Sequence, residues 1–271
     1  MPSSVLVSII TLTYNRASFL KEALNSIFSQ TFKDFEVLVG DDGSTDETPR
    51  IIKEFSNDSR LKYITGEHVY LIKNRQRTIS RAQGKYIAIL DDDDVWVDID
   101  KLQKQVDFLE KNPDYVAVGA GAIIIDLKGN ELYRFLNEEK DENIRNRMLF
   151  RNPFFASSTL FRRDIFEKVG DYDESLKGAE DWDLWLRMGK CGKFYNLPFY
   201  GIKYRLPPLN PHRFINMRQV LKFTKKYRYD YSHYYRARLI NWLKMCYTFF
   251  PKPSFFENWL LKWRYTKNIK A

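Results

Sequence analysis

The 271-residue chain is poor in the residues that build disulfide frameworks and zinc sites. Its two cysteines, Cys191 and Cys246, lie far apart and have no partner at metal-binding spacing, so we interpret both as packing residues. No stretch approaches the roughly 18 to 20 apolar residues that a membrane-spanning helix needs, and the amino terminus lacks the residue pattern of a signal peptide. These absences predict a cytoplasmic protein.

The glycine-rich motifs that bind phosphates are also missing. The sequence contains neither GxxxxGK[ST] nor a GxGxxG that follows a strand, which argues against kinases, phosphate-loop NTPases and dinucleotide oxidoreductases. Gly119 and Gly121 lie inside an apolar run without the rest of the fingerprint, so close backbone packing explains them better.

Charge is distributed unevenly along the chain. From Lys203 onward there are 16 Lys and Arg against Asp230 and Glu257, a net charge of +14, whereas the first 202 residues carry −5. We therefore predict an acidic body at 1–202 that can host a cation, followed by a basic, aromatic helical tail at 203–271.

The tail contains two amphipathic stretches interleaved with Lys and Arg, which is typical of a helix that binds an anionic headgroup region. Peripheral attachment to the inner face of the cell membrane follows as a hypothesis. The alternatives are that the aromatic residues pack on the body or form a homodimer contact. The apolar positions of the two stretches are Tyr235, Leu239, Trp242, Cys246 and Phe249, and then Phe255, Phe256, Trp259, Leu260 and Trp263.

In the body, apolar β-branched runs alternate with segments of helical periodicity, which predicts an α/β fold with a mostly parallel sheet. We predict strands at 5–10, 35–39, 61–64 and 86–90, and further strands at 116–125 and 154–161. Helical patterns occupy the regions around 20–28, 51–55, 72–82, 141–149 and 180–188.

Polar clusters follow three of the predicted strands, at 11–16, 41–42 and 91–94. Ligands bind at the carboxyl ends of parallel strands, so these clusters are the candidate site. The four consecutive aspartates at 91–94 would repel one another unless a cation neutralised them. Carboxylates without nearby His or Cys favour Mg²⁺ or Mn²⁺, which often bridges one or two carboxylates to substrate phosphates.

Four segments, 7–16, 41–46, 90–96 and 180–185, together resemble the family-2 glycosyltransferases of the GT-A fold. The resemblance spans roughly residues 4 to 200. It implies a Rossmann-like sheet flanked by helices and an inverting transfer of sugar from a nucleotide diphosphate, UDP above all, to a hydroxyl group. A glycan or lipid-linked acceptor in the synthesis of cell-surface polysaccharide or lipopolysaccharide is the role implied by analogy.

The resemblance also implies donor-binding residues. Tyr14 resembles the aromatic residue that stacks on the base, and Asp42, beside Asp41, resembles the carboxylate that accepts the uracil N–H. Thr11, Asn15 and Arg16 belong to the same donor-binding segments. Asn74 and Arg75 occupy the place of an Arg-Asn-x-Gly segment near the donor, but the sequence here is Lys-Asn-Arg-Gln, so a surface helix is an equal alternative.

For the reaction itself, the resemblance maps the DxD motif onto Asp91 and Asp93, with Asp93 the preferred metal ligand. Asp92 is expected to contact the donor ribose or sugar. Asp181, preceded by Glu180, resembles the general base that deprotonates the acceptor hydroxyl. Arg205, His212 and Arg213 are candidates for a residue that closes over the metal or diphosphate, His212 as a further metal ligand.

Two other functions compete with this interpretation. A nucleic-acid-binding protein with a non-catalytic nucleotide-binding body would use the basic, aromatic tail, but it does not require the aspartate run and a separate acidic pair. A nucleotidyltransferase would use carboxylates and Mg²⁺ but would leave Asp181 and the base site unexplained. We therefore expect no nucleic-acid partner.

Overall fold

A computed structural model describes residues 5–176, 178–206 and 213–247. The first half alternates strands and helices, as the hydrophobic periodicity predicts. The elements are β1 (Val7–Thr13), α1 (Ala17–Phe28), β2 (Phe35–Asp41), α2 (Thr48–Phe55), β3 (Leu61–Thr65), α3 (Leu71–Ile79) and β4 (Tyr86–Ile89).

The second half adds strands that extend the same sheet and helices that cover it. The elements are β5 (Val95–Trp96), α4 (Lys101–Lys111), β6 (Tyr115–Ile125), β7 (Glu131–Phe135), α5 (Asp141–Arg145), a 3₁₀ turn (Ala156–Ser158), β8 (Leu160–Arg162), α6 (Arg163–Val169), α7 (Glu180–Met188), β9 (Lys193–Arg205), α8 (Arg213–Lys226) and α9 (Tyr234–Tyr247).

The strands form one sheet in the order β3-β2-β1-β4-β8-β6-β9-β5, with β7 paired to β6. Strands β1 to β4 are mutually parallel, β6 and β9 are also parallel, and β8 runs antiparallel between β4 and β6. The predicted α/β class with a mostly parallel sheet is confirmed. Because β1, β2 and β4 end at the same edge, the polar residues that follow them come together there.

The core lies on both faces of the sheet. Alternate residues of β1 point to opposite sides, so Val7 and Ile9 pack with the apolar stripe of α1 and with α4, whereas Ile10 packs on the side of α3 and α7. In α1, Leu20, Leu24 and Ile27 are fully buried at helical spacing.

Some predicted elements differ from the structure. The predicted strand at 154–161 is a 3₁₀ turn followed by three residues of β8, because the Ser158 and Thr159 hydroxyls donate to the backbone carbonyls three residues earlier and favour a turn. Helix α5 ends at Arg145, earlier than the charged pattern predicts. Helix α4 and strand β9 were not predicted.

The predicted boundary near residue 203 falls inside β9, whose pairing with β6 continues to Arg205. Helix α8 also packs on the body: Val220, Phe223 and Tyr227 are buried in the same core as α7. In the tail stripe, by contrast, Tyr235, Leu239 and Trp242 are exposed. The stripe positions from Phe249 onward lie outside the described residues. Within the described part, no helix is both long and apolar enough to cross a bilayer.

Candidate active site

A cavity of about 520 Å³ opens at the carboxyl edge of the sheet. Its walls come from the loops after β1 to β4, from the start of α7 and from the end of β9. Its lining residues are Leu12, Thr13, Tyr14, Arg16, Asp42, His68, Tyr70, Leu71, Asn74, Arg75, Asp91, Asp92, Asp93, Ala156, Gly178, Glu180, Asp181, Tyr204 and Arg205.

Most of the residues singled out from the sequence line this single cavity. Three do not. Thr11 is buried within β1, Asp41 is buried at the end of β2, and Asn15 is an exposed loop residue. His212 and the side chain of Arg213 lie outside the described part of the structure.

Asn15 and Asp41 shape the loops beside the cavity. Asn15 has a left-handed backbone (φ 53°), and its side-chain oxygen accepts a hydrogen bond from Thr45 N at 2.8 Å. Asp41 accepts hydrogen bonds from Ser44 N (2.9 Å) and from the Tyr63 hydroxyl (2.5 Å). Asn15 therefore joins the 41–46 turn to the segment after β1, whereas Asp41 stabilises the turn itself and joins it to β3.

One end of the cavity is an aromatic cluster around Asp42. The His68 ring lies 4.4 Å from the Tyr14 ring and 4.5 Å from the Tyr70 ring, centroid to centroid. Asp42 accepts a hydrogen bond from Val69 N at 2.8 Å, and its other carboxylate oxygen is 2.9 Å from His68 Nδ1. The half-exposed Tyr14 ring provides a stacking surface.

Arg16 links the segment after β1 to the aspartate run. Its guanidinium contacts Asp92 Oδ1 at 3.0 Å and Asp93 Oδ2 at 2.9 Å. Burial raises the pKa of Asp92 to about 7, against the opposing effect of Arg16. The negative charge of the aspartate run is therefore partly neutralised by the guanidinium of Arg16.

The last aspartate of the run points away from the cavity. Asp94 is buried, and its Oδ1 accepts a hydrogen bond from Arg205 N at 2.8 Å. Arg205 in turn donates from Nε to the carbonyl of Asp93 and from Nη2 to Glu22. Asp94 and Arg205 thus hold the aspartate loop against β9, although Arg205 also lines the cavity.

Asn74 and Arg75 of α3, for which the sequence allowed either a donor contact or a surface helix, are buried and line the cavity. Asn74 and Arg75 are 1% and 6% exposed, which excludes the surface-helix alternative. Arg75 lies between two acids, with Nη1 3.4 Å from Glu180 Oε1 and Nη2 4.0 Å from Asp91 Oδ1. Arg75 therefore ties the aspartate run to the start of α7.

Asp181 begins α7 beside Glu180 and is half-buried. Its Oδ1 accepts a hydrogen bond from Trp182 N at 2.7 Å and its Oδ2 accepts one from Asn152 Nδ2 at 3.0 Å. Burial, with the neighbouring Glu180 charge, raises the pKa of Asp181 to about 6. A carboxylate with that pKa can accept a proton near neutral pH.

A divalent cation fits this site only if groups of a bound substrate complete its coordination. Among the described residues, no three His, Cys, Asp or Glu side chains are grouped to hold a metal ion. Asp91 and Asp93 nevertheless both line the cavity. Mg²⁺ and similar ions are commonly held by one or two carboxylates, with substrate phosphates and water completing the shell. The residues fit such a shared ion.

Comparison with known proteins identifies the family. The family model for glycosyl transferase family 2 matches residues 8–170. The chain belongs to glycosyltransferase family 2. The predicted family is thus confirmed, and family membership disfavours a nucleic-acid-binding protein.

Two relatives illustrate this family-2 membership. Uncharacterized glycosyltransferase MJ1057 of Methanocaldococcus jannaschii is 34% identical over 208 residues, covering 74% of this chain and 71% of its own. An uncharacterized glycosyltransferase of Haemophilus influenzae is 30% identical over 223 residues, covering 76% of this chain and 67% of its own.

Solved structures share the fold of this family-2 enzyme at low sequence identity. The mannosyltransferase PcManGT of Pyrobaculum calidifontis, in complex with GDP-Man and Mn²⁺, superimposes with a TM-score of 0.65 at 20% identity, covering 88% of this chain and 68% of its own. S. aureus TarS in complex with UDP gives a TM-score of 0.64 at 22% identity, covering 81% and 65%. These likenesses confirm the GT-A fold.

Sequence reasoning missed several residues of the cavity. His68 follows β3 just as Tyr14 follows β1, so the strand-end argument could have identified it. Tyr204 lies near the carboxyl end of β9, a strand that was not predicted, and it lines the cavity from there. Nothing local in the sequence pointed to Tyr204.

Proposed function

We propose that this family-2 glycosyltransferase is an inverting enzyme that transfers a sugar from a nucleotide diphosphate to an acceptor hydroxyl. The observation that carries the proposal is that Asp91 to Asp93 and Asp181 line one cavity. The carboxylates that can share a cation with a diphosphate therefore face the same space as a carboxylate that can act as a base.

In this mechanism, Asp181 accepts the acceptor proton while the acceptor oxygen attacks the anomeric carbon. The bond from that carbon to the diphosphate breaks, and the nucleoside diphosphate leaves with the electron pair. Arg16 and Arg75 provide positive charge near the leaving group. A bound Mn²⁺ or Mg²⁺, held by Asp93 with Asp91, would supply further charge neutralisation.

The nucleoside is proposed to be uridine. Tyr14 offers a face for stacking, and Asp42 can accept the imide N–H of uracil while it is held by Val69 N. TarS, a structural neighbour, is described in complex with UDP and with UDP-GlcNAc, whereas PcManGT is described with GDP-Man. Thermal-shift measurements with UDP, GDP and dTDP sugars plus Mn²⁺ test this preference, and a shift for GDP sugars alone contradicts it.

The reaction is tested by release of UDP from a panel of UDP-sugars in the presence of Mn²⁺. Asp181→Asn and Asp93→Asn are each expected to lower turnover by about 10³-fold or more. Asp107→Asn, an exposed position on α4, is the matched control and should retain activity. Undiminished turnover by the Asp181 variant would show that Asp181 is not the base. Activity in the presence of EDTA would show that the reaction does not require a metal ion.

The acceptor is proposed to be a glycan or a lipid-linked glycan of the cell surface, reached from the inner face of the membrane. The support is the exposed face of α9, where Leu239 and Trp242 stand beside Arg238. Co-sedimentation with anionic liposomes is expected for the full chain and reduced for a Leu239→Ser, Trp242→Ser double variant. Leu132→Ser, exposed on β7, is the control.

A further inference from the structure

A second cavity, of about 410 Å³, also has Asp181 in its lining. It meets the first cavity at four shared lining residues, Asp91, Ala156, Asp181 and Tyr204. Asp181 thus forms part of the wall of both spaces. A molecule in the second cavity would therefore lie beside this carboxylate, outside the part of the first cavity that is lined by Asp42.

One wall of the second cavity is aromatic. Phe155 is central to this wall, with its ring centroid 6.0 Å from that of Phe135 and 5.2 Å from that of Tyr204. These rings come from three elements, β7, the segment before the 3₁₀ turn, and β9. The wall is therefore supported on several sides. Flat apolar surfaces of this kind pack against the C–H face of a sugar ring while its hydroxyl groups stay available for hydrogen bonds.

The polar groups of the cavity include a buried amide donor. Asn137 Nδ2 is inaccessible to solvent, and among the described residues it has no hydrogen-bond partner. A buried donor of this kind is costly while it has no acceptor, and a rotation of the Asn137 amide toward the cavity would let a ligand oxygen supply one. Asn152 also lines the cavity, and its amide holds Asp181 Oδ2. The cavity thus combines an apolar wall, an unused donor and a proton acceptor.

We propose that the second cavity binds the acceptor substrate as a pyranose ring, either the end of a glycan or the sugar of a glycolipid. The ring packs on Phe155, one of its oxygens accepts a hydrogen bond from Asn137, and its reacting hydroxyl faces Asp181. This inference rests on the proposed function. It adds that recognition is directed at a sugar ring rather than at a lipid chain alone.

The chemistry balances with the donor in the first cavity. The acceptor O–H proton passes to the Asp181 carboxylate, and the acceptor oxygen forms a bond to the anomeric carbon. The bond between that carbon and the diphosphate oxygen breaks, and the diphosphate departs with its electron pair. The product is a glycan extended by one sugar.

Saturation-transfer NMR tests the proposal, with octyl glycosides of glucose, galactose, mannose and N-acetylglucosamine as probes, and with UDP and Mn²⁺ present. We expect saturation of the sugar-ring protons of at least one glycoside with the unaltered chain. Asn137→Trp fills the cavity and should abolish this signal, while Phe155→Ala should weaken glycoside affinity at least tenfold. Both variants should keep their affinity for UDP, which shows that they are folded. Leu132→Trp, exposed on β7, is the control.

Two results would overturn the assignment: the absence of sugar-proton saturation with every glycoside, or an undiminished signal in both Asn137→Trp and Phe155→Ala. Saturation confined to the octyl chain would also contradict it, because a lipid chain would then be the recognised group. If the proposed function itself is wrong, the experiments give a different result. In that case the glycosides still bind, but no UDP-sugar is cleaved by the unaltered chain.

Discussion

The side-chain amide of Asn152 donates a hydrogen bond of 3.0 Å to Oδ2 of Asp181. The other carboxylate oxygen, Oδ1, accepts the backbone N–H of Trp182 at 2.7 Å. Both oxygens are therefore anchored, and the carboxylate is held in one orientation between the two cavities. Asn152 is in this sense a positioning residue for the proposed base.

Replacing Asn152 by Ala should lower turnover by about 10- to 100-fold, because the base loses one of its two anchors. The Asn152 hydrogen bond also favours the charged form of Asp181. The pH–rate profile of the Asn152→Ala variant should therefore shift to higher pH. The measurement is kcat for UDP-sugar cleavage across pH 5 to 8.

Asn112→Ala is a suitable control, since the Asn112 amide bonds only locally to Phe108 O, at the end of α4. If Asn152→Ala loses turnover without any displacement of its pH profile, Asn152 supports the loop but does not act through Asp181.

The unaltered enzyme should lose turnover as the pH falls through about 6. Burial and then Glu180 raise the pKa of Asp181 to about 6, so below that pH the base is protonated. We expect kcat to fall by about tenfold per pH unit in that range.

Acid unfolding caused by protonation of Asp181 would not explain this loss of turnover. A carboxyl with a raised pKa in the fold makes the protein more stable as the pH falls from about 6 toward 3.8, the ordinary Asp value. Thermal melts at each pH provide the check. A flat rate profile between pH 5 and 7 would show that Asp181 does not titrate as the base.

The strand-end rule accounts for most of what the sequence could predict about the site. Buried runs such as that of β1 have an unambiguous pattern, and their ends converge at one edge whatever the details of packing. Asp42, Asp93 and Arg16 could be placed for that reason.

What the sequence could not provide is the direction of each side chain. Asp93 and Asp94 are neighbours of the same type, yet Asp93 faces the cavity and Asp94 is buried against Arg205 N. That difference depends on β9, whose register with β6 is irregular at Gly121. A long strand with three shifts in register leaves no simple alternating pattern, which is why β9 and with it Tyr204 were missed.

Arg16→Ala should tighten the binding of Mn²⁺ in the absence of nucleotide. Arg16 contacts Asp92 and Asp93, and its removal takes away the positive charge that pairs with these two carboxylates among the described residues. Because the Arg16 side chain is half exposed, the effect should be modest, about 3- to 10-fold in Kd. Calorimetric titration of Mn²⁺ measures it. Arg50→Ala, at an exposed ion pair, is the control, and unchanged or weaker Mn²⁺ binding by Arg16→Ala would contradict the expectation.

A last prediction concerns Lys101, which is fully buried at the start of α4. Its Nζ lies 2.8 Å from Gln105 Oε1 and 4.0 Å from the centre of the Trp96 ring. Burial holds the pKa of Lys101 well below its ordinary value of 10.5. At a pH between the lowered pKa of the folded chain and the ordinary value of 10.5, Lys101 is protonated in the unfolded chain and neutral in the folded chain.

Stability should therefore rise with pH in this range, and the destabilising effect of Lys101 should be fully present only below its folded pKa. The slope contributed by one such group reaches at most about 1.4 kcal/mol per pH unit. Urea unfolding at pH 7 and pH 9.5 should show the free energy of unfolding increasing with pH in the unaltered chain and much less so in Lys101→Met. Lys104→Met, at a partly exposed ion pair with Asp98, should keep the original slope. Equal slopes in the unaltered chain and Lys101→Met would show that Lys101 stays protonated in the fold, supported by the Trp96 ring and Gln105.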